Sequence, residues 1–397
     1  MSRRSQHPRA RRLPVLLPVF IIALAACCRG GCRRGPPPAG PLDGRLALAL
    51  FPNQTRTVVA LDIAKLRASS LAPRLAALAI SSPADDQRLD TFRQRTGLDP
   101  LRQIDSVTVA FPEEARARGE LGIILRASHF DQTRLIAYVR DALQKDGDDL
   151  VPAPRGPNLL WAARKDPTLA GFFLDEGTLL IGGGGWAEKM ADLATARASA
   201  RGTTTPASAE SDKELLELCQ RAAAGHAIWA AAIVPAELRR QLERDPRFAG
   251  ASGVMRMALG IDLPAGGGPL DSGALAAGAS AALVGDGAAS VNADGSVFTA
   301  APAGGGLDAV FSADLATPQE AAALADKVVA ALRDAKRDPR LLMLGIGPDL
   351  DSVASKAEGR TFSVQIKLDE AQVTDLFQRV SALLTLARQG QIPGFGP

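Results

Sequence analysis

Hydrophobic and polar positions along this chain change period repeatedly, and each change marks an element. Thr361-Phe-Ser-Val-Gln-Ile-Lys-Leu368 alternates strictly, with Phe362, Val364, Ile366 and Leu368 on one side and polar residues on the other. Such a strand has one face in a core and one in water, which predicts an antiparallel sheet covered on a single side. The next residues supply the cover. Asp369 is placed as an N-cap, and Val373, Leu376, Phe377, Val380, Leu383 and Leu384 form a helical stripe.

The same unit recurs. Leu121, Ile123, Leu125 and Ala127 alternate, Asp131 is placed to cap, and Leu135, Ile136, Val139 and Leu143 make the stripe. Ala309 to Leu315 leads into Thr317-Pro-Gln-Glu320, a capping box with proline at the first helical position, and Leu324, Val328 and Leu332 continue that face. Thr57 to Leu66 followed by 72–80, and Ala227 to Leu238 followed by 239–243, are two further copies.

In chain order the pattern predicts a strand at 57–62, helices near 70–80 and 85–96, strands at 105–111 and 119–127, and a helix at 131–144. Strands at 157–163 and 170–181 and a helix at 186–198 complete a first set. The second set has a strand at 227–234, a helix at 236–243, strands at 253–262 and 307–315, a helix at 318–334, strands at 352–356 and 361–368, and a helix at 370–388. Residues 273–300, with Asp286-Gly287 and Asp294-Gly295 as turn signals, read as an inserted hairpin.

The expected fold is therefore α+β: duplicated strand/helix units forming a mainly antiparallel sheet, with helices covering one face. The first repeat spans 44–200 and the second 213–390, joined by a polar linker at 201–212 without periodicity, with a tail at 391–397.

The amino terminus follows a different logic. A basic stretch, Ser2 to Arg12, precedes an apolar run from Leu13 to Ala26. At about 1.5 Å per residue that run is too short for a hydrocarbon core of about 30 Å, but it suits the core of a signal peptide. It ends in Leu24-Ala25-Ala26-Cys27, and there the chain resembles the bacterial lipoproteins, whose lipobox reads Leu, a small residue, Gly or Ala, then Cys.

That resemblance implies removal of residues 1–26 by cleavage between Ala26 and Cys27, and acylation of Cys27. Residues 27–43, rich in Pro and Gly, would form a lipidated tether. An ordinary cleaved signal peptide ending at Ala26 is the alternative, but Leu24 sits where such cleavage prefers a small residue. Two acyl chains at about 0.8 kcal/mol per buried methylene hold a protein on a bilayer. Cys28 rather than Asp follows the lipidated position, which by the same resemblance implies the outer membrane, facing the periplasm. Cys28 and Cys32 either pair in that compartment or stay free. The Gly97-Leu-Asp-Pro-Leu101 turn before Asp105-Ser-Val-Thr-Val109 is similar to a feature of uncharacterised, GC-rich bacterial envelope lipoproteins, and implies no activity.

Composition narrows the function classes. The chain has 397 residues, 46 Lys and Arg against 43 Asp and Glu, and 46% hydrophobic residues. Arg3, Arg4, Arg9, Arg11 and Arg12 precede the cleavage point, leaving 41 basic against 43 acidic residues, which argues against a nucleic-acid partner. Aromatic residues make up 4%, too few for a base- or sugar-stacking platform. Trp161, Trp186 and Trp229 lie in or beside apolar strands and read as core.

The catalytic candidates are thin. His129 and His226 flank strands and read as surface residues. Cys219 lies on a helical face with Leu215, Leu218 and Ala222 and reads as a buried thiol. No Gly-x-Ser-x-Gly elbow accompanies either histidine, and Gly250-Ala-Ser-Gly253 falls short of one. Gly182-Gly-Gly-Gly-Trp-Ala187 formally satisfies Gly-x-Gly-x-x-Ala, but the expected acidic residue about 20 positions on is missing, so it reads as a tight strand-to-helix turn. Asp85-Asp86, Glu113-Glu114 and Asp148-Asp149 read as solvated loop acids, and Asp146-Gly-Asp-Asp149 lacks calcium-loop spacing.

No catalytic residue, cofactor site or metal site is therefore expected. The sequence supports a lipid-anchored, non-catalytic envelope protein that binds or scaffolds another envelope component. A carrier or sensor of a hydrophobic ligand is the alternative, and an unrecognised hydrolase ranks below it.

Overall fold

The computed structural model describes residues 44–72, 83–113, 119–199, 207–244, 252–263, 290–291, 297–298, 306–338, 347–376 and 378–379. The chain forms two compact units. Unit 1 comprises the residues up to Arg67, 72–224 and 228–233; unit 2 comprises 68–71, 225–227 and 234 onward. The signal peptide, Cys27 and the tether lie outside the described residues, as do most of the inserted hairpin and the helix beyond 379.

Unit 1 opens with the short helix α1 (Gly44–Leu48) and strand β1 (Thr55–Asp62), then helices α2 (Ile63–Ala68), α3 (Pro83–Thr96) and α4 (Pro100–Gln103). Strands β2 (Ile104–Pro112) and β3 (Leu121–Ala127), helix α5 (Gln132–Lys145) and strands β4 (Leu150–Arg155), β5 (Asn158–Ala163), β6 (Ala170–Asp175) and β7 (Thr178–Gly183) follow. Helices α6 (Trp186–Ala198) and α7 (Lys213–Ala223) and strand β8 (Ile228–Ile233) complete it. The sheet order is β8-β1-β2-β3-β7-β6-β5-β4, with neighbouring strands antiparallel. The antiparallel α+β architecture expected from the alternation is what forms.

The polar run at 201–212, read as a linker, falls within the 72–224 stretch of unit 1. The end of that run is tied into unit 1: the Ala209 amide donates to the Phe51 carbonyl at 2.8 Å, and Asp212 caps α7 and accepts from Arg56 at 3.0 Å. Helix α7 then buries Leu215, Leu218, Cys219 and Ala222, as its spacing predicts.

A charged pair sits inside unit 1 where β1 meets β2. Asp62 lies opposite Ser106, next to Asp105, and both carboxylates are buried. Arg67 donates to the Ile104 carbonyl and, at 2.7 Å, to one Asp105 oxygen; the Lys65 amide donates to Asp62 Oδ1 at 2.9 Å. Burial pushes the Asp62 carboxyl above its ordinary value, outweighing the Lys65 amide bond and the Lys65 and Arg67 charges.

The folded state thus binds that proton more readily than the unfolded chain, and stability falls as pH rises through the window above 3.8. Asp62→Asn keeps the acceptor for Lys65 and removes the charge. It is expected to be neutral at pH 4 and to gain up to about 1 kcal/mol over the parent at pH 7, in urea midpoints measured at both. A gain that shrinks with rising pH would contradict the assignment.

Unit 2 contains helix α8 (Ala236–Arg244), strand β9 (Val254–Asp262), the short ladder of β10 (Ser290–Val291) with β11 (Val297–Phe298), strand β12 (Leu307–Leu315), helix α9 (Pro318–Ala335), and strands β13 (Val353–Glu358) and β14 (Thr361–Leu368). The β10–β11 ladder brackets the Asp294-Gly295 turn signal of the inserted hairpin. The antiparallel order is β9-β12-β14-β13. One sheet face, with Ala313, Leu315 and Phe362 at its centre and Met257, Phe311 and Val364 around them, packs under Ala321, Leu324, Ala325 and Val328 of α9. The capping box at Thr317 and Glu320 forms with both of its hydrogen bonds. The other face is polar: buried Asp314 accepts from Thr361 at 2.9 Å and pairs with Arg256 at 3.0 Å.

Candidate binding surface

Alternation in β5, β6 and β7 sends even-numbered side chains one way and odd-numbered ones the other. The even side is covered by α6 up to the irregularity after Phe173, where Leu174 is exposed. Leu160, Ala162, Phe172 and Leu180 are buried there, and Asn158 on the same side donates to the Ala191 carbonyl and Thr195 of α6. Arg155 grips Asp192 of that helix with two hydrogen bonds, 2.8 and 2.7 Å, which hold the Asp192 carboxyl below its ordinary range. The fully buried Trp186 indole fills the base of α6.

The odd side is different. Trp161, Phe173, Leu179 and Ile181 are all half-buried, and Leu159 is 47% exposed. Helix α5 flanks this side: the Arg140 guanidinium lies over the Trp161 ring, 5.5 Å from its centroid. Asp131 caps α5 by accepting from the Arg134 amide at 3.0 Å.

The apolar stripe predicted for α5 is present, yet no residue of the helix is buried, and Leu135, Ile136, Val139 and Leu143 remain half-exposed. The helix is fastened mainly to α3. The Phe92 and Tyr138 rings meet edge-on at 5.1 Å, Arg95 stacks over Tyr138 at 4.9 Å and pairs with Asp141, and Arg134 donates to the Gln94 and Arg95 carbonyls. The result is an apolar sheet face and an apolar helix stripe side by side, both half-open. At its rim Arg140 and Arg164 approach Asp149, at 3.9 and 3.0 Å.

Of the described residues that the sequence singles out, Trp161 and Asp149 border this surface, and the others are not brought together with them. Cys27 and Ala26 lie outside the described residues. The Cys219 thiol is buried on α7, and burial, then the charge of Asp212, pushes it up to about 12, so it is no nucleophile at neutral pH. His129 is exposed, 3.8 Å from Glu176. His226, expected on the surface, is instead largely buried. Its ring lies against Gly260, where a Cβ would come 2.7 Å from imidazole Cγ, and its Nδ1 is 3.4 Å from Asp262.

The glycine run forms the tight strand-to-helix turn, with positive φ at Gly184 and Gly185. Asp85 and Asp86, read as loop acids, lie instead in the first turn of α3, and Asp86 and Glu113 are exposed. Asp148 and Asp149 clamp their own loop: Asp148 accepts from the Lys165 amide at 3.0 Å, and Asp149 from the Leu150 amide at 2.9 Å. Among the described residues no group of three His, Cys, Asp or Glu is placed to hold a metal ion, and no helix is long and apolar enough to cross a membrane.

Trp229 and Trp186 are core residues as expected, but Trp161 is not. The odd-numbered apolar positions of β5 to β7 were the available signal, because a run apolar on both sides needs two covers and only one helix follows it directly.

No family model matches the chain, and no curated protein is similar to it. Among solved structures, crystal form I of TP0453 is similar over 85% of this chain and 97% of its own, at 9% identity and a TM-score of 0.37. Likeness at that level assigns no residue a role.

Proposed function

We propose that this chain is a lipid-anchored, non-catalytic protein of the bacterial cell envelope that binds or scaffolds an apolar partner. In this reading Cys27, released by cleavage after Ala26, carries the acyl chains at the outer membrane. The 27–43 tether lets the folded units face the periplasm. The observation that carries the binding role is the asymmetry of the β5–β7 sheet, covered by α6 on one side and half-open beside α5 on the other.

An apolar side chain taken from half-exposed to buried gains on the order of 1 kcal/mol. Several such positions on one face therefore favour a docked apolar body. The same geometry favours a second reading, a carrier of a hydrophobic ligand, because α5 contributes no buried residue and would admit a slender apolar molecule against Trp161.

Native mass spectrometry of the full protein, extracted in mild detergent from its own membranes, separates these readings. The expected mass is a chain beginning at Cys27 with its acyl groups, alone or joined to a second protein. A co-purifying small apolar mass, lost on substituting Trp161→Glu, would favour the carrier. A mature chain without acyl groups would overturn the anchor.

A further inference from the structure

Helix α8 is held to its unit by a poorly matched bond. Of its described side chains, only that of Arg239 is not exposed. Arg239 reaches across to β9, where its guanidinium donates to the Met255 sulfur at 2.8 Å. Met255 also fixes the approach to the helix, because its carbonyl accepts from the Val234 amide at 2.9 Å. A guanidinium carries five N–H donors, whereas a thioether is among the weakest acceptors a side chain offers. The Arg239 Nε is buried and has no hydrogen-bond partner among the described residues. A strong, partly desolvated donor therefore faces an acceptor too weak to satisfy it.

This sulfur differs from those of the other described methionines. Met190 is wholly buried in α6, and Met257 packs under α9. Met255 is half-buried beside an exposed helix. A thioether sulfur has two lone pairs, and Arg239 engages one of them. Adding oxygen to the other converts a weak acceptor into a polar sulfoxide, whose oxygen is a strong one.

We propose that Met255 is a reversible oxidation site for hydrogen peroxide and related two-electron oxidants, and that Arg239 recognises the sulfoxide and so holds α8 more firmly against β9. In the step, a sulfur lone pair attacks one peroxide oxygen and the O–O bond breaks. The departing hydroxide takes the proton from the transferred oxygen and leaves as water. The thioether thus loses two electrons and the peroxide gains them. The new oxygen is the acceptor that the guanidinium lacks, and the flexible arginine stem draws back to admit it. A dithiol reductase reverses the step, releasing the oxygen as water and forming a disulfide of its own. Methionine oxidation ordinarily disrupts packing, but here it completes a charge-assisted hydrogen bond. The inference does not depend on the anchor or on the α5 face.

The test is amide hydrogen exchange of the full chain in detergent micelles, before and after limiting hydrogen peroxide, with peptide mass mapping of each methionine. Met255 is expected to gain one oxygen before Met190 and Met257 do. The amides of α8 should then exchange about tenfold more slowly. Arg239→Leu should still be oxidised at Met255 but lose that slowing. Arg239 lies on an exposed helix, so this substitution leaves the core intact. Met255→Gln supplies a carbonyl oxygen without peroxide, and should slow exchange where Arg239 is present and not in the Arg239→Leu background. Exchange in α8 that is unchanged or faster once Met255 is oxidised, a slowing that survives Arg239→Leu, or a Met255 oxidised no sooner than Met257 would overturn the proposal.

Discussion

Gly182→Ala is expected to destabilise unit 1 by about 3 kcal/mol or more, lowering its thermal midpoint by about 6–12 °C. Gly182 is buried in β7, and its backbone is in a region that any residue adopts, so conformational freedom is not why glycine stands there. The reason is the return of the chain. A Cβ at this position would lie against the Ala187 amide nitrogen, 2.7 Å from the Trp186 carbonyl carbon and 2.8 Å from the Ala187 Cα. These are backbone atoms of the first turn of α6, held by a Trp186 indole that is wholly buried, so no side chain can move aside.

Gly185, three residues on, is a different case. Its φ of +80° favours glycine, but among the described residues a Cβ there would meet only the Glu188 carboxylate, at 3.8 Å. Gly185→Ala should therefore cost only about 1–2 kcal/mol. Thermal melts of the two variants decide the matter: if Gly185→Ala proves the more damaging, close packing of α6 on β7 is not what the run provides.

That glycine run shows how far the sequence was legible. A turn was readable from the apolar strand end, the glycines and the helical period beyond, and α6 begins and ends as that pattern predicts. Caps were equally legible at Asp131 and Thr317, because a short polar side chain before a stripe has one local use.

Strand β4 was not legible. Pro152 and Pro154 remove it from a propensity reading, and only its place at the edge makes it a strand. The stretch 170–181 reads as one strand but is a hairpin, turning at Glu176-Gly177 after an irregularity between Phe173 and Asp175. The half-open face was illegible for a deeper reason. The stripe on α5 states which residues prefer burial, but not how closely the helix approaches the sheet. That approach is governed by how α5 fastens to α3, through Phe92 and Arg95 against Tyr138. The buried Asp62 and Asp105 escaped notice because a carboxylate at a strand end looks the same in sequence whether or not an arginine reaches it.

The second large effect is expected at that arginine. Arg67→Met should cost about 3–5 kcal/mol at pH 7, because it leaves the buried Asp105 carboxylate without its cation. Asp105 is 2% exposed, its Oδ2 has no hydrogen-bond partner among the described residues, and Arg67 donates to its Oδ1. The same substitution frees the Ile104 carbonyl and removes a positive charge that holds Asp62 down, so the Asp62 carboxyl rises further.

A raised carboxyl gives stability that falls with increasing pH through the window between its unfolded and folded values. The Arg67→Met variant should therefore lose less at pH 5 than at pH 7. Arg67→Met with Asp105→Asn leaves neither charge behind and should recover most of the loss, down to about 1–2 kcal/mol. Urea midpoints for the two single variants and the double, at both pH values, form the cycle. A double variant no more stable than Arg67→Met would mean that the guanidinium matters for its packing and its bond to Ile104, with the charge of Asp105 incidental.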